Sequence, residues 1–114
     1  MDTEQLKEFR NHLRAGQVIP ALPLALDDEG SWSAKHQRAL LRYYHESGAG
    51  GLAVGVHSTQ FAIRDPSVGL YEPLLRFVAE ERATFAGDSG DNFPLIAGVS
   101  GKGRSAFAEA ELAA

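Results

Sequence analysis

Gly51-Leu52-Ala53-Val54-Gly55-Val56 is an apolar run without a single charged or polar side chain. Such a run is typical of a strand buried on both faces, as strands of parallel sheets are. Two further runs share this character: Val18-Ile19-Pro20-Ala21-Leu22 and Leu95-Ile96-Ala97-Gly98-Val99. Periodicity alone does not separate strand from helix in runs this short, but their length and β-branched residues favour strands. The sequence therefore predicts three strands.

An amphipathic helix is predicted before the first of these runs. Its apolar residues recur at i, i+3 and i+7: Leu6, Phe9 and Leu13. Either Asp2 or Thr3 can cap its start, and Gly16 suits its C-terminal end. Pro20 in the following run donates no hydrogen bond, so it indicates an edge position or a gap in the ladder.

A second helix is predicted between the first and second runs. Ser33 is a plausible N-cap and Gly48 ends the helix. Its predicted buried stripe consists of Leu40, Tyr43 and Tyr44. Its predicted solvent face consists of Lys35, Arg38, Arg42 and Glu46.

Two more helices are predicted further along the chain. The third has its apolar positions at Leu70, Leu74, Phe77 and Val78. Pro73 is tolerable only in the first turn of that helix, and Glu80 with Glu81 forms a predicted solvated face. Residues 87–92 are predicted to be a polar loop. Residues 100–103 form a predicted turn, after which Arg104 begins a fourth, core-facing helix.

Strands that alternate with helices predict parallel strands joined by right-handed crossovers. The fold class is therefore α/β, with the three strands in the order 1-2-3. The chain has 114 residues, a formal charge of −4 and no cysteine. The scattered basic residues exclude a nucleic-acid partner, and the short apolar stretches exclude a membrane span. Disulfides and thiolate metal sites are excluded as well, and a cytoplasmic location is expected.

Four stretches in order resemble the opening of the dihydrodipicolinate synthase and N-acetylneuraminate lyase family. The first two are Val18-Ile19-Pro20-Ala21-Leu22 and Asp27-Asp28-Glu29-Gly30-Ser31. The last two are Glu46-Ser47-Gly48-Ala49-Gly50-Gly51-Leu52 and Leu95-Ile96-Ala97-Gly98-Val99. The family's opening reads V-I-P-A-L, F-D-x-D-G-S and E-x-G-V-x-G-L, with P-V-I-A-G-V at the third strand. The resemblance covers most of the chain after Gln17.

The resemblance implies a class I aldolase, a (βα)₈ barrel with lyase chemistry. In that family a lysine on the sixth strand forms a Schiff base with pyruvate or a related 2-oxo acid, and no further cofactor or metal is implied. A complete barrel needs roughly 200–250 residues, so residues 1–114 are expected to be a single truncated barrel domain. None of Lys7, Lys35 and Lys102 matches the catalytic lysine. The chain is therefore expected to carry no catalytic residue and to be inactive alone.

The loop after the second strand departs from the family's G-T-T-G-E, in which the threonines hold the substrate carboxylate. Here it reads Val56-His57-Ser58-Thr59-Gln60, so His57 replaces the first threonine and Ser58 keeps a hydroxyl at the second. The substrate-binding candidates are His57, Ser58 and Thr59. An ordinary polar loop is the other interpretation. His36, His45 and His57 lack a carboxylate at ligand spacing, so no metal site is expected.

A second hypothesis needs no lyase chemistry. The chain is then a small non-catalytic α/β binding module, or a split-barrel subunit that assembles with another chain. A homo-oligomer is compatible with both hypotheses.

Overall fold

The computed structural model describes residues 2–89 and 93–114. The fold is mixed α/β, with four α-helices and a small parallel sheet. In chain order its main elements are α1 (Thr3–Arg14), α2 (Ala34–Glu46), β1 (Leu52–Val54), α3 (Tyr71–Ser89), β2 (Leu95–Ala97) and α4 (Arg104–Ala113). Two 3₁₀-helices, His57–Thr59 and Phe61–Arg64, lie between β1 and α3.

The sheet pairs β1 with β2 in parallel, with Ala53 opposite Ile96. Residues 18–22 run parallel to β1 on its other side but make only one bridge, between Ala21 and Ala53. The Ala53 N–H donates to the Pro20 carbonyl (3.0 Å), and Pro20 itself has no N–H to return to the ladder. Among the described residues the sheet thus has two strands where three were predicted. Residues 18–22, the predicted first strand, form an extended segment beside β1.

The core lies between the sheet and the helices α2 and α3. Its buried apolar residues are Leu22, Leu41, Leu52, Val54, Ile63, Tyr71, Leu74, Val78 and Phe93. The other face of the sheet carries small or apolar side chains, Ala21, Ala53 and Ile96, of which Ile96 is 44% exposed. Parallel sheets are normally covered on both faces, and here the buried cluster lies on one.

The predicted boundaries of helix α1 are confirmed, with Asp2 as its N-cap. The Asp2 carboxylate accepts from the Gln5 N–H (2.8 Å) and the Gln5 side chain accepts from the Asp2 N–H, which makes a capping box. The helix buries no residue, however, and Leu6 and Leu13 stay exposed. The His12 ring contacts the Gly50 carbonyl at 2.6 Å, which places α1 beside the start of β1.

Helix α2 begins at the predicted cap, where the Ser33 hydroxyl accepts from the His36 N–H. Its predicted buried stripe is confirmed in part, since Leu40 and Tyr44 are partly buried against the core. The fully buried residues are Gln37 and Leu41, whereas Tyr43 is 64% exposed. Apolar spacing alone does not predict this face in full, because one of its two fully buried side chains, Gln37, is polar.

Helix α3 buries Leu74 and Val78 as predicted, with Pro73 in its first turn. It extends to Ser89, so the prediction of a loop is wrong for residues 87–89, and residues 90–92 lie outside the described residues. The ring of Phe85 lies 5.5 Å from that of Phe93. This contact holds the last turns of the helix against the chain that returns to β2.

Helix α4 begins at Arg104 as predicted, but the prediction that it faces the core is wrong. It buries no residue, and Phe107 is 73% exposed. A glutamate on its inner side, Glu109, makes its best-defined contact with the rest of the fold. No helix within residues 2–89 and 93–114 is long and apolar enough to cross a membrane.

Candidate functional site

The chain leaves β1 through a tight turn that starts at Gly55. Its φ of 78° lies in the left-handed region that glycine adopts without strain. The 3₁₀-helix His57–Thr59 follows, and it presents His57 and Ser58 to solvent at the carboxyl end of β1. Apart from an edge contact between the rings of His57 and Phe61 (6.0 Å), the two side chains have no partner among the described residues.

Thr59, the third predicted site residue, points into the protein and is fully buried. Its hydroxyl donates to the Leu22 carbonyl (2.5 Å) and accepts from the Gly55 N–H (3.1 Å). These bonds tie the segment 18–22 to the end of β1 and occupy the hydroxyl proton. The structure therefore brings His57 and Ser58 together at the surface and sets Thr59 beneath them as their support.

Gln37 organises the loop that follows the segment 18–22. Its side-chain oxygen accepts from the Ala25 N–H (2.9 Å) and from the Trp32 indole N–H (3.1 Å). Its amide nitrogen donates to the Pro23 carbonyl (3.0 Å). A buried amide that makes three hydrogen bonds fixes its surroundings strongly, since the loss of any one of them is costly.

Arg64 joins the carboxyl ends of the two strands. Its Nη2 donates to the carbonyls of Gly55 (2.6 Å) and Gly98 (2.9 Å), which follow β1 and β2. The two strands lie so close here that a Cβ at Gly98 would come within 2.6 Å of the Gly55 carbonyl oxygen. The guanidinium therefore fixes the residues beyond both strands relative to each other.

The same guanidinium is held from three further sides. Its Nε donates to the Glu109 carboxylate (2.7 Å), whose other oxygen accepts from the Ser100 N–H (2.6 Å). The Tyr71 and Phe61 rings lie 4.6 and 5.3 Å from the guanidinium carbon. Nη1 is buried without a hydrogen-bond partner. The aromatic faces offset part of that cost by cation–π attraction.

Two acids at this end of the sheet have displaced pKa values. Burial raises the pKa of the Tyr71 hydroxyl, the negative Glu109 adds to the rise, and Arg64 opposes it. That hydroxyl donates to the Gly98 carbonyl (2.7 Å). Hydrogen bonds from the backbone and hydroxyl of Ser67 lower the pKa of the exposed Asp65.

The three lysines, Lys7, Lys35 and Lys102, are all exposed. A Schiff-base lysine is normally desolvated or set beside another cation, and none of these three is desolvated. Among the described residues no group of three or more His, Asp or Glu side chains could hold a metal ion. The prediction of a solvated face is wrong for Glu81, which is mostly buried and pairs with Arg38 at 2.7 Å.

Sequence reasoning missed Gln37, Arg64 and Glu109. Gln37 lies one turn before the buried Leu41. A polar residue on a helix does not by itself indicate that its side chain is buried. Arg64 and Glu109 are 45 residues apart in the chain. The sequence of this single chain carries no local signal that connects them.

Comparison with models of known protein families, with curated proteins and with solved structures yields no match. The family and the activity of the chain therefore depend on the sequence resemblance and on the geometry of the site.

Proposed function

We propose that residues 1–114 supply the first strands and the carboxylate-binding loop of a (βα)₈ barrel of the dihydrodipicolinate synthase family. The substrate is a small 2-oxo acid of the pyruvate type. The observation that carries this proposal is the exposure of His57 and Ser58 at the carboxyl end of β1. Enzymes with (βα)₈ barrels build their active sites at that end of the strands.

The chemistry of the loop suits a carboxylate. The Ser58 hydroxyl and the His57 ring can donate hydrogen bonds, and both side chains are free of other hydrogen-bond partners among the described residues. Thr59 and Arg64 hold the loop from below and from the side, so little order has to be gained when an anion binds. A hydrogen bond to a charged group contributes about 1.5–3 kcal/mol.

The imine step needs a lysine from elsewhere in the barrel. That amine attacks the ketone carbon and water leaves, after which the imine withdraws electrons from the neighbouring bond. All three lysines of this chain are exposed, so residues 1–114 by themselves hold substrate without activating it.

Carboxylate binding is tested by titrating the ¹⁵N-labelled chain with pyruvate and following its amide NMR signals. We expect the His57 and Ser58 signals to move. Ser58→Ala should weaken binding at least about tenfold, because a hydrogen bond to a charged group contributes about 1.5–3 kcal/mol. Ser105→Ala, an exposed serine on α4, is the matched control and should change nothing. Shifts that ignore Ser58→Ala would contradict the assignment of the loop.

The lysine argument has its own test. The chain is incubated with pyruvate and borohydride, and the intact mass is measured. We expect only sparse labelling spread over several lysines. A stoichiometric adduct at one lysine would show that this short scaffold performs the imine step itself.

A second candidate function is that of a non-catalytic module that assembles with another chain. The exposed Ile96 on the uncovered sheet face favours it, because an apolar side chain there is normally covered in parallel sheets. A folded chain that shows no pyruvate response in the NMR titration would favour this candidate over the lyase.

A further inference from the structure

Phe61 lies directly beside the loop that carries His57 and Ser58. Its ring makes an edge contact with the His57 ring, with 6.0 Å between the two centroids. The guanidinium carbon of Arg64 lies over the same phenyl ring, 5.3 Å from its centroid. These two contacts hold the ring in place, yet Phe61 is 52% exposed. A fixed aromatic surface is therefore open to solvent next to the proposed acid-binding side chains.

A strained backbone at Gln60 places Phe61 there. Gln60 has a φ of 78°, and among the described residues it is the only one other than glycine with a positive φ. Its N–H donates to the His57 carbonyl (3.0 Å), and its carbonyl accepts from the Ile63 N–H (3.3 Å). The strained residue thus joins the two 3₁₀-helices and sets the direction in which the chain continues to Phe61. Strain of this kind persists only where the surroundings impose it, and it is concentrated at functional sites.

We propose that Phe61 forms an aromatic subsite of the acid-binding loop, and that the 2-oxo acid bound there carries an aryl group beyond its ketone. The carboxylate accepts hydrogen bonds from Ser58 and His57, and the aryl ring packs on the open surface of Phe61 in an offset or edge arrangement. This inference rests on the proposed function and narrows its substrate from any pyruvate-like acid to an aryl-substituted one.

The surroundings of the ring favour a neutral aryl group over a cation. An aromatic face attracts cations, but Arg64 already supplies one to Phe61. A second cation at this ring would be repelled by the guanidinium, whereas a neutral ring would not.

The size of the open surface favours an aryl group over a methyl group. Pyruvate bound at His57 and Ser58 would leave most of the Phe61 ring in water, because its methyl group is much smaller than the ring. A phenyl group would cover more of that apolar surface. Phe61 is already held by His57 and Arg64, so little order has to be gained when the aryl group binds.

The experiment compares phenylpyruvate with pyruvate, which lacks only the phenyl group. The whole ¹⁵N-labelled chain is titrated with each acid, and dissociation constants are taken from the amide signals of residues 57–59. We expect phenylpyruvate to bind at least about tenfold more tightly and its phenyl protons to show NOEs to the Phe61 ring. Phenylacetone, which lacks the carboxylate, should bind at least about tenfold more weakly than phenylpyruvate.

Substitutions locate the subsite. Phe61→Ala should reduce the ratio of the two acids' affinities to less than about threefold, whereas Phe61→Tyr keeps an aromatic ring and should keep the ratio. The matched control is Phe107→Ala on α4, where the phenylalanine is 73% exposed, and it should also keep the ratio. Circular dichroism shows whether each variant is folded. If Phe61→Ala does not fold, the NOEs to Phe61 in the unsubstituted chain decide, and their absence would overturn the inference.

The outcomes separate this inference from the proposed function. Equal affinities for the two acids would overturn the aromatic subsite and leave the carboxylate-binding loop standing. The absence of a response to either acid would overturn both. A preference for phenylpyruvate that survives Phe61→Ala, or phenylacetone binding as tight as that of phenylpyruvate, would place the phenyl group elsewhere and overturn the subsite alone.

Discussion

Arg64 and Glu109, 45 residues apart in the chain, form a largely buried ion pair with a separation of 2.7 Å between Nε and Oε1. Through it α4 is fastened to the loop between β1 and α3. Helix α4 buries no residue, so this pair largely fixes where the helix lies. The same guanidinium bonds to the carbonyls after both strands.

Arg64→Met should lower the free energy of unfolding by about 3 kcal/mol, because it leaves the Glu109 carboxylate and two carbonyls without their donor. Urea denaturation followed by circular dichroism measures the loss. The double variant Arg64→Met/Glu109→Leu should recover part of it, since replacing both partners by apolar residues removes the stranded charge. A loss below about 0.5 kcal/mol in the single variant would contradict the assignment.

Thr59→Val should cost about 1–3 kcal/mol of stability. Valine has nearly the shape of threonine, but it leaves the buried Leu22 carbonyl and Gly55 N–H without the hydroxyl that bonds to both. Ser58→Ala is the matched control and should stay within about 0.5 kcal/mol, as an exposed side chain does. Comparable losses in both variants, measured by urea denaturation, would mean that Ser58 is structural.

Gln37→Leu should destabilise the chain by about 3 kcal/mol, since it breaks the bonds to Ala25, Pro23 and the indole of Trp32. Trp32 is the only tryptophan, so its fluorescence reports on the loop directly. We expect a red-shifted emission maximum as the ring gains water. Lys35→Leu, at an exposed position on the same helix, should leave the emission unchanged. An unshifted spectrum in Gln37→Leu would mean that Gln37 does not hold the loop around Trp32.

The raised pKa of Tyr71 predicts a stability loss in alkali. The unfolded tyrosine ionises first, at about pH 10, so the folded state holds its proton more tightly above that pH. The contribution is therefore complete below about pH 10 and is lost as the pH rises through the folded pKa. Tyr71→Phe should remove this part of the pH dependence. If the free energies of unfolding of the wild type and of the variant fall in parallel from about pH 9 to 11, the prediction is wrong.

Ile96→Lys should reduce self-association of the isolated chain. The side chain is 44% exposed on the uncovered sheet face, on the strand whose outer edge is open, and exposed apolar surface of this kind promotes association. Sedimentation velocity at rising concentration measures the effect. Leu6→Lys, an exposed position on α1, should help less. Equal improvement by both would indicate general solubility instead of sheet contacts.

Local patterns in the sequence predicted the helices well. The capping signals at Asp2 and Ser33 and the start of α4 at Arg104 are confirmed, because a helix start depends on residues within one turn. The apolar runs predicted β1 and β2 for the same local reason. The predicted first strand, residues 18–22, is an extended segment instead, because Pro20 has no N–H to donate to the ladder where it faces β1.

What the sequence by itself determined is the alternation of elements, their direction and the position of His57 and Ser58 after β1. Tertiary structure alone decided which polar groups are buried. Gln37 lies under a loop, Thr59 turns inward, and Arg64 meets Glu109 across the fold. The physical reason is that patterns along the chain carry information over one or two turns, whereas these bonds join residues brought together only when the sheet and helices pack.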